Sequence, residues 1–267
     1  MYCAFMDVYD DVIIGSGYAG LSLGVLLSKE KRNICIVESH SEIGGCAGFF
    51  KRKEFLFDVG ATTFSGLLNN RPVSKFAQIT GIRPETLPLE TPLVINLEGV
   101  KLKRFRDLER WIQELEKKFP QIPHRKFWRK LDRVASNLWR VLEEVSFFPP
   151  VKWTQWLKFL NPRLLKFTPQ LISFFWPLRW SLPREYKYGP LKDLIDELLL
   201  ISTQAKSPQT SLAMGSLGLT YPEDMSYPVG GMYAFGQKMK NQITHSGGRF
   251  LFKAEVSTKS FFNYSHK

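Results

Sequence analysis

The sequence predicts an α/β fold built on a parallel sheet, and three observations in its first forty residues carry that prediction. Residues 11–14, Asp-Val-Ile-Ile, are a short apolar run that leads into a glycine-rich turn. An apolar stretch follows, suited to a helix through about Ser28, and then a second apolar run from Asn33 to Glu38. Strand, tight turn, helix and strand within roughly 30 residues make a βαβ unit, whose right-handed crossover sets the two strands parallel.

From about residue 70 the pattern changes. Leu93–Leu97 and Val100–Leu102 flank Glu98-Gly99 and predict a hairpin. A helix follows: Asp107 caps it, Leu108, Trp111, Ile112, Leu115 and Phe119 line one face, and Pro120 ends it. Leu191, Leu194, Ile195, Leu198 and Leu199 repeat at the spacing of an amphipathic helix, with core packing as the default reading. After Pro228-Val-Gly-Gly231 the α/β pattern resumes, with a helix to about Ser246, Gly247-Gly248, and a strand from Arg249 to Val256. The expected organisation is a nucleotide-type unit over 1–70, an inserted, mixed and mainly helical unit over 71–215, and a return to the first unit over 216–267.

Composition narrows the function classes. With 267 residues, 44% of them hydrophobic, the chain can build a sizeable core. Cys3, Cys35 and Cys46 are too few and too unevenly placed for a disulfide framework, and no Cys or His pair has metal-ligand spacing, so no metal is expected and a reducing, cytoplasmic setting is. Asp7, Asp10 and Asp11 stand where a signal peptide would be basic, and no apolar run reaches the ~20 residues of a spanning helix. The net charge of +12 is concentrated in residues 101–190, which hold 20 Lys/Arg against 8 Asp/Glu. Such a middle suits nucleic acid, anionic lipid or water alike.

The strongest motif is in DVIIGSGYAGLSLG, where Gly15, Gly17 and Gly20 form GxGxxG directly after a strand and at a helix start. The first glycine allows the turn, the second lets backbone approach a pyrophosphate, and the third lets helix and strand pack closely, while the helix N-terminus offers N–H groups to phosphate. Glu38 closes the second strand, where a carboxylate accepts hydrogen bonds from an adenosine ribose and repels a 2′-phosphate. This fits either NAD or FAD.

The next stretches point to FAD by resemblance. SHSEIGGCAGFF, with Glu42, Gly44 and Gly45, and FDVGATTFSG, with Asp58 and Gly60, resemble the blocks that follow the βαβ unit in flavin amine oxidases, phytoene desaturases and their relatives. Gly-Gly-Cys-Ala is most similar to the carotenoid-isomerase and retinol-saturase branch of these FAD-dependent oxidoreductases. The resemblance implies that Gly15, Ser16, Gly17, Ala19 and Gly20 hold the pyrophosphate and Glu38 the ribose. It sets Gly44, Gly45 and Cys46 near the ribityl chain and flavin, and the backbone of Val256 at adenine, where a core valine fits equally well. Tyr221-Pro222 and Pro228–Gly231 resemble a block that brings backbone of the inserted domain back to the flavin; an ordinary turn is the plain alternative.

No catalytic acid or base is assigned, because Cys46 has no neighbouring thiol or base and His40 and His124 read as surface residues. The function implied is FAD-dependent redox or isomerisation of a carotenoid or related polyene. Two other readings stay open: an amine-oxidase-type flavoenzyme, and an inactive fragment that binds membrane or a partner. Relatives of this kind continue well beyond the Arg249–Val256 strand, so the C-terminal part of the usual fold is expected to be missing and a separate chain is a candidate to supply it.

From Val151 to Arg184 the chain has Lys152, Lys158, Arg163, Lys166, Arg179 and Arg184, no acid, and Trp153, Trp156, Phe159, Phe167, Phe174, Phe175, Trp176 and Trp180 between them. Trp at helix edges beside cations suits a bilayer interface and predicts peripheral attachment to an anionic cytoplasmic membrane face, with an aromatic pocket wall as the alternative. No nucleic-acid motif accompanies the aromatics.

Overall fold

The computed structural model describes residues 8–144, Thr154 and 172–257. Contacts divide the chain after Leu87 and after Met225. The insertion therefore starts at Pro88 and ends at Met225, later at both ends than the expected 71 and 215. Apolar side chains set both limits: Val73, Phe76 and Ile82 pack on the core of the first unit, whereas Leu212 and Leu219 belong to that of the second.

The first unit opens with strand β1 (Asp11–Ile14), helix α1 (Tyr18–Lys29) and strand β2 (Ile34–Val37), as the apolar runs predict. A 3₁₀ turn at Gly45–Ala47 leads into a hairpin, β3 (Phe49–Arg52) and β4 (Phe55–Asp58), and then into helix α2 (Pro72–Thr80).

The inserted unit contains the predicted hairpin, β5 (Leu93–Leu97) and β6 (Val100–Arg104), whose turn residues Glu98 and Gly99 both take positive φ, as a tight two-residue turn requires. Helix α3 (Leu108–Lys118) is capped by Asp107, whose carboxylate accepts the Arg110 N–H at 2.8 Å. Helices α4 (His124–Glu144), α5 (Gly189–Thr203) and α6 (Leu212–Thr220) follow. The stripe Leu191, Leu194, Ile195, Leu198 and Leu199 is buried in a core with Trp111, Trp128 and Leu131.

Two polar side chains sit inside that core. The Arg104 guanidinium is fully buried, lies over the rings of Trp111 and Trp128, and donates to Phe105 O and Leu219 O. Burial pulls its pKa down to about 10, against the opposing charge of Glu223. His124, expected at the surface, is also fully buried. Its Nε2–H donates to Phe119 O at 2.8 Å, so Nδ1 accepts the Tyr186 hydroxyl at 2.5 Å, and that hydroxyl in turn accepts from Trp128 Nε1 at 3.0 Å. A histidine whose two nitrogens are both satisfied can be buried without penalty, which its spacing does not reveal.

The chain returns to the first unit with helix α7 (Gly231–His245) and strand β7 (Arg249–Leu251). The sheet order is β1-β2-β7, all parallel, with Val12 opposite Cys35 and Ile36 opposite Phe250. Helices α1 and α7 cover one face. They pack closely because a Cβ on Gly24 would stand 2.9 Å from Ile243 and 3.0 Å from Ile36. The last strand ends at Leu251, five residues short of the expected limit. Lys53 and Lys253 both adopt positive φ; at Lys253 the chain turns and runs beside the end of β2.

Candidate dinucleotide site

The turn between β1 and α1 is fixed from both ends. Gly15 N–H donates to Val37 O at 2.7 Å, and Leu21 N–H to Gly17 O at 2.9 Å. Gly20 has no room for a side chain, since a Cβ there would lie 2.0 Å from Gly15 O. The helix that follows has no side-chain cap at Gly17 and no acid in its first turn. Its first N–H groups have no acceptor within the helix, and the positive end of its dipole is left open. Ala19 is exposed on that first turn.

The second glycine pair docks on the first turn, backbone to backbone. Gly44 N–H donates to Ser16 O at 2.9 Å, and Gly17 and Gly44 form an isolated parallel bridge. Gly45 makes this approach possible: its φ is +57°, and a Cβ would stand 3.1 Å from Gly17 Cα. Residues 44–48 are braced in turn by the stretch after β4, with Val59 N–H donating to Gly48 O at 3.0 Å and Ala61 N–H to Cys46 O at 3.3 Å. Cys46 is exposed, and Cys35 is buried in the sheet.

Glu38 is 5% exposed and fully hydrogen-bonded. Its Oε2 accepts from Ser16 N and Ser16 Oγ, both at 2.7 Å, and its Oε1 accepts from His40 N at 2.9 Å and Ser39 Oγ at 3.3 Å. Burial alone raises the carboxyl pKa, but these donors outweigh it and hold it at about 2. Two of the four donors are hydroxyls, those of Ser16 and Ser39. Ala254 N–H donates to Glu38 O at 2.9 Å, just past the end of β2, and Val256 follows two residues later in irregular backbone rather than in a strand.

The sequence reading singled out Asp58 but not the contacts that tie these pieces together. Asp58 Oδ1 accepts the Met232 N–H at 3.2 Å at the start of α7, and Tyr18 donates its hydroxyl to Met232 O. These contacts join the FDVG and PVGG blocks, and no spacing rule connects residues so far apart. A cavity of about 410 Å³ lined by Tyr18, Ala19, Phe64, Val73, Phe76 and Phe235 lies against the first turns of α1. Tyr221-Pro222 forms a 3₁₀ turn at the end of the inserted unit, held by the contacts of Arg104 to Leu219 O and Glu223. Among the described residues no group of three or more His, Cys, Asp and Glu is placed to hold a metal.

Comparison with known proteins bears on the fold. Residues 13–79 match the NAD(P)-binding Rossmann-like domain family. The chain is 24% identical to a chloroplastic prolycopene isomerase of an Oncidium hybrid cultivar, over 94% of this chain and 43% of that protein. It is 28% identical to the all-trans-retinol 13,14-reductase of Danio rerio, over 93% of this chain and 42% of that protein. It thus spans less than half the length of these relatives. Among solved structures, cyclohexylamine oxidase from Brevibacterium oxydans superposes with a TM-score of 0.56 at 14% identity, covering 92% of this chain and 51% of the oxidase. That likeness shows the fold.

Proposed function

We propose, from this kinship with prolycopene isomerases and all-trans-retinol 13,14-reductases, that the chain holds FAD in the groove between its two glycine turns and serves redox or isomerisation chemistry on a polyene. The observation that carries the reading is the backbone contact of Gly17 with Gly44 and Gly45, directly beside the uncapped start of α1 and the buried carboxylate of Glu38. Gly15, Ser16, Gly17, Ala19 and Gly20 would hold the pyrophosphate, Glu38 the ribose, Gly44–Cys46 the ribityl end, and the backbone at Val256 the adenine. The bound isoalloxazine would exchange electrons or hydride with the conjugated chain, while the protein orients both and excludes water.

Polyenes partition into bilayers, which supports a working position at a membrane surface on the cytoplasmic side. Among the described residues no helix is long and apolar enough to span one. Attachment through Trp153 and Trp156 falls on residues outside those described. The reading also includes a partner chain: among the described residues β1 is an edge strand of its sheet, and Val12 and Ile14 are 58% and 55% exposed, a surface suited to an added strand.

The test is a visible spectrum of the purified chain after FAD addition and desalting, followed by incubation with all-trans-retinol or a cis-carotene. Retained flavin and a changed polyene spectrum are expected. Protein that keeps no flavin, alone or with a candidate partner chain, would refute the reading.

A further inference from the structure

Large apolar side chains scattered singly on a surface carry little meaning, whereas several together on fixed backbone mark a contact surface. Between Ile172 and Tyr188 the backbone is pinned from beneath, with Ser173, Leu178, Leu182 and Tyr186 all buried. Leu178 N–H donates to Thr210 O at 2.9 Å, and Leu212 N–H to Trp176 O at 2.7 Å. The same stretch leaves Ile172, Phe175, Trp176, Trp180 and Tyr188 in water, at 56%, 80%, 46%, 57% and 73% exposed. Trp176 and Trp180 meet edge to face at 5.3 Å.

Positive charge surrounds these rings. Arg179, Arg184 and Lys187 are exposed within the stretch, against one acid, Glu185. A groove of about 300 Å³ brings Arg179, Lys187 and Lys192 beside Trp180 and Tyr188. A second, of about 260 Å³, sets Lys126 and Lys130 of α4 beside Ser181–Pro183. Among the described residues only Lys192 of these cations makes an ion pair, with Asp196 at 2.8 Å.

We propose that this face of the inserted unit docks on a bilayer that carries anionic lipid, with Phe175 and Ile172 reaching the acyl boundary and Trp176, Trp180 and Tyr188 at headgroup depth. Arg179, Lys187, Lys126 and Lys130 meet the lipid phosphates from flexible stems. The assignment rests on the membrane-surface reading above and gives it a specific face, apart from Trp153 and Trp156. Charge complementarity selects the occupant, since unpaired cations around an apolar centre match an anionic headgroup layer above hydrocarbon.

The full chain would be floated with phosphatidylcholine vesicles, with and without phosphatidylserine, and compared with Phe175→Ser/Trp180→Ser and Arg179→Gln/Lys187→Gln, each checked for unchanged circular dichroism and thermal unfolding. The wild type should float with the anionic vesicles and its tryptophan emission should shift to the blue. The aromatic pair should lose binding to both vesicle types. The charge pair should lose its preference for phosphatidylserine, by about fivefold per cation removed. If both variants float like the wild type, this face is not the docking surface although attachment stands; if the wild type does not float, both readings fail. Binding of single-stranded RNA that is lost in the same variants, with vesicles ignored, would also overturn the proposal.

Discussion

At the scale of single residues, Glu38 and His124 make opposite electrostatic statements that pH can test. The Glu38 carboxyl titrates at about 2 in the folded chain against 4.5 when free. Its contribution is fully present above pH 4.5 and is lost as pH falls from there toward 2. Glu38→Gln should therefore cost about 2–3 kcal/mol at neutral pH and flatten the fall in stability over that acid window, as read by denaturant titration. In His124 burial lowers the pKa below 6.5, opposed by the hydrogen bond to Phe119 O and by Glu116 and Glu185. The neutral ring is the form that accepts from Tyr186, so stability of the inserted unit should fall as pH drops below 6.5, where the unfolded chain takes up the proton first. His124→Gln should remove that slope; an unchanged slope would contradict the buried, neutral imidazole as its source. Gly20→Ala should cost about 1–3 kcal/mol by overpacking against Gly15 O, and it should weaken FAD binding with it.

At the scale of elements, α5 is held by its leucine stripe. Leu194→Ala, at a fully buried position, should cost about 2–5 kcal/mol in the inserted unit, measured by chemical unfolding, and leave flavin retention unchanged. That helix, the Glu98-Gly99 hairpin, the Asp107 cap and the parallel β1–β2 pair were all legible from period, turn chemistry and cap residues. Four things were not. The β3–β4 hairpin turns at Lys53-Glu54 with Lys53 at positive φ, where the turn signal of glycine or asparagine is absent. Helix α4 begins at a buried histidine that reads as polar surface. The strand after Gly248 stops at Leu251 because the chain turns at Lys253 to bond His40 O, a tertiary event with no local signature. The limits of the insertion depend on which core α2 and α6 join. In the candidate site the glycines and Glu38 declare themselves by spacing, whereas Asp58 to Met232 and Tyr18 to Met232 are partnerships across more than 170 residues that only the fold creates.

At the scale of the whole molecule, the chain contains a nucleotide-type unit assembled from two stretches and an inserted unit with its own core. Among the described residues the first unit presents β1 as an edge, with Val12 and Ile14 exposed on one face. Val12→Lys should leave flavin binding intact and prevent capture of a strand-bearing partner, measured by co-purification of the two chains. The central claim is that two glycine turns and one carboxylate form a flavin cradle, and its most direct test is a fluorescence titration of FAD with the purified chain and with Gly17→Val. Saturable quenching by the wild type and none by the variant is the result predicted here. Equal responses from the two proteins, or no response from either with a candidate partner chain added, would contradict it.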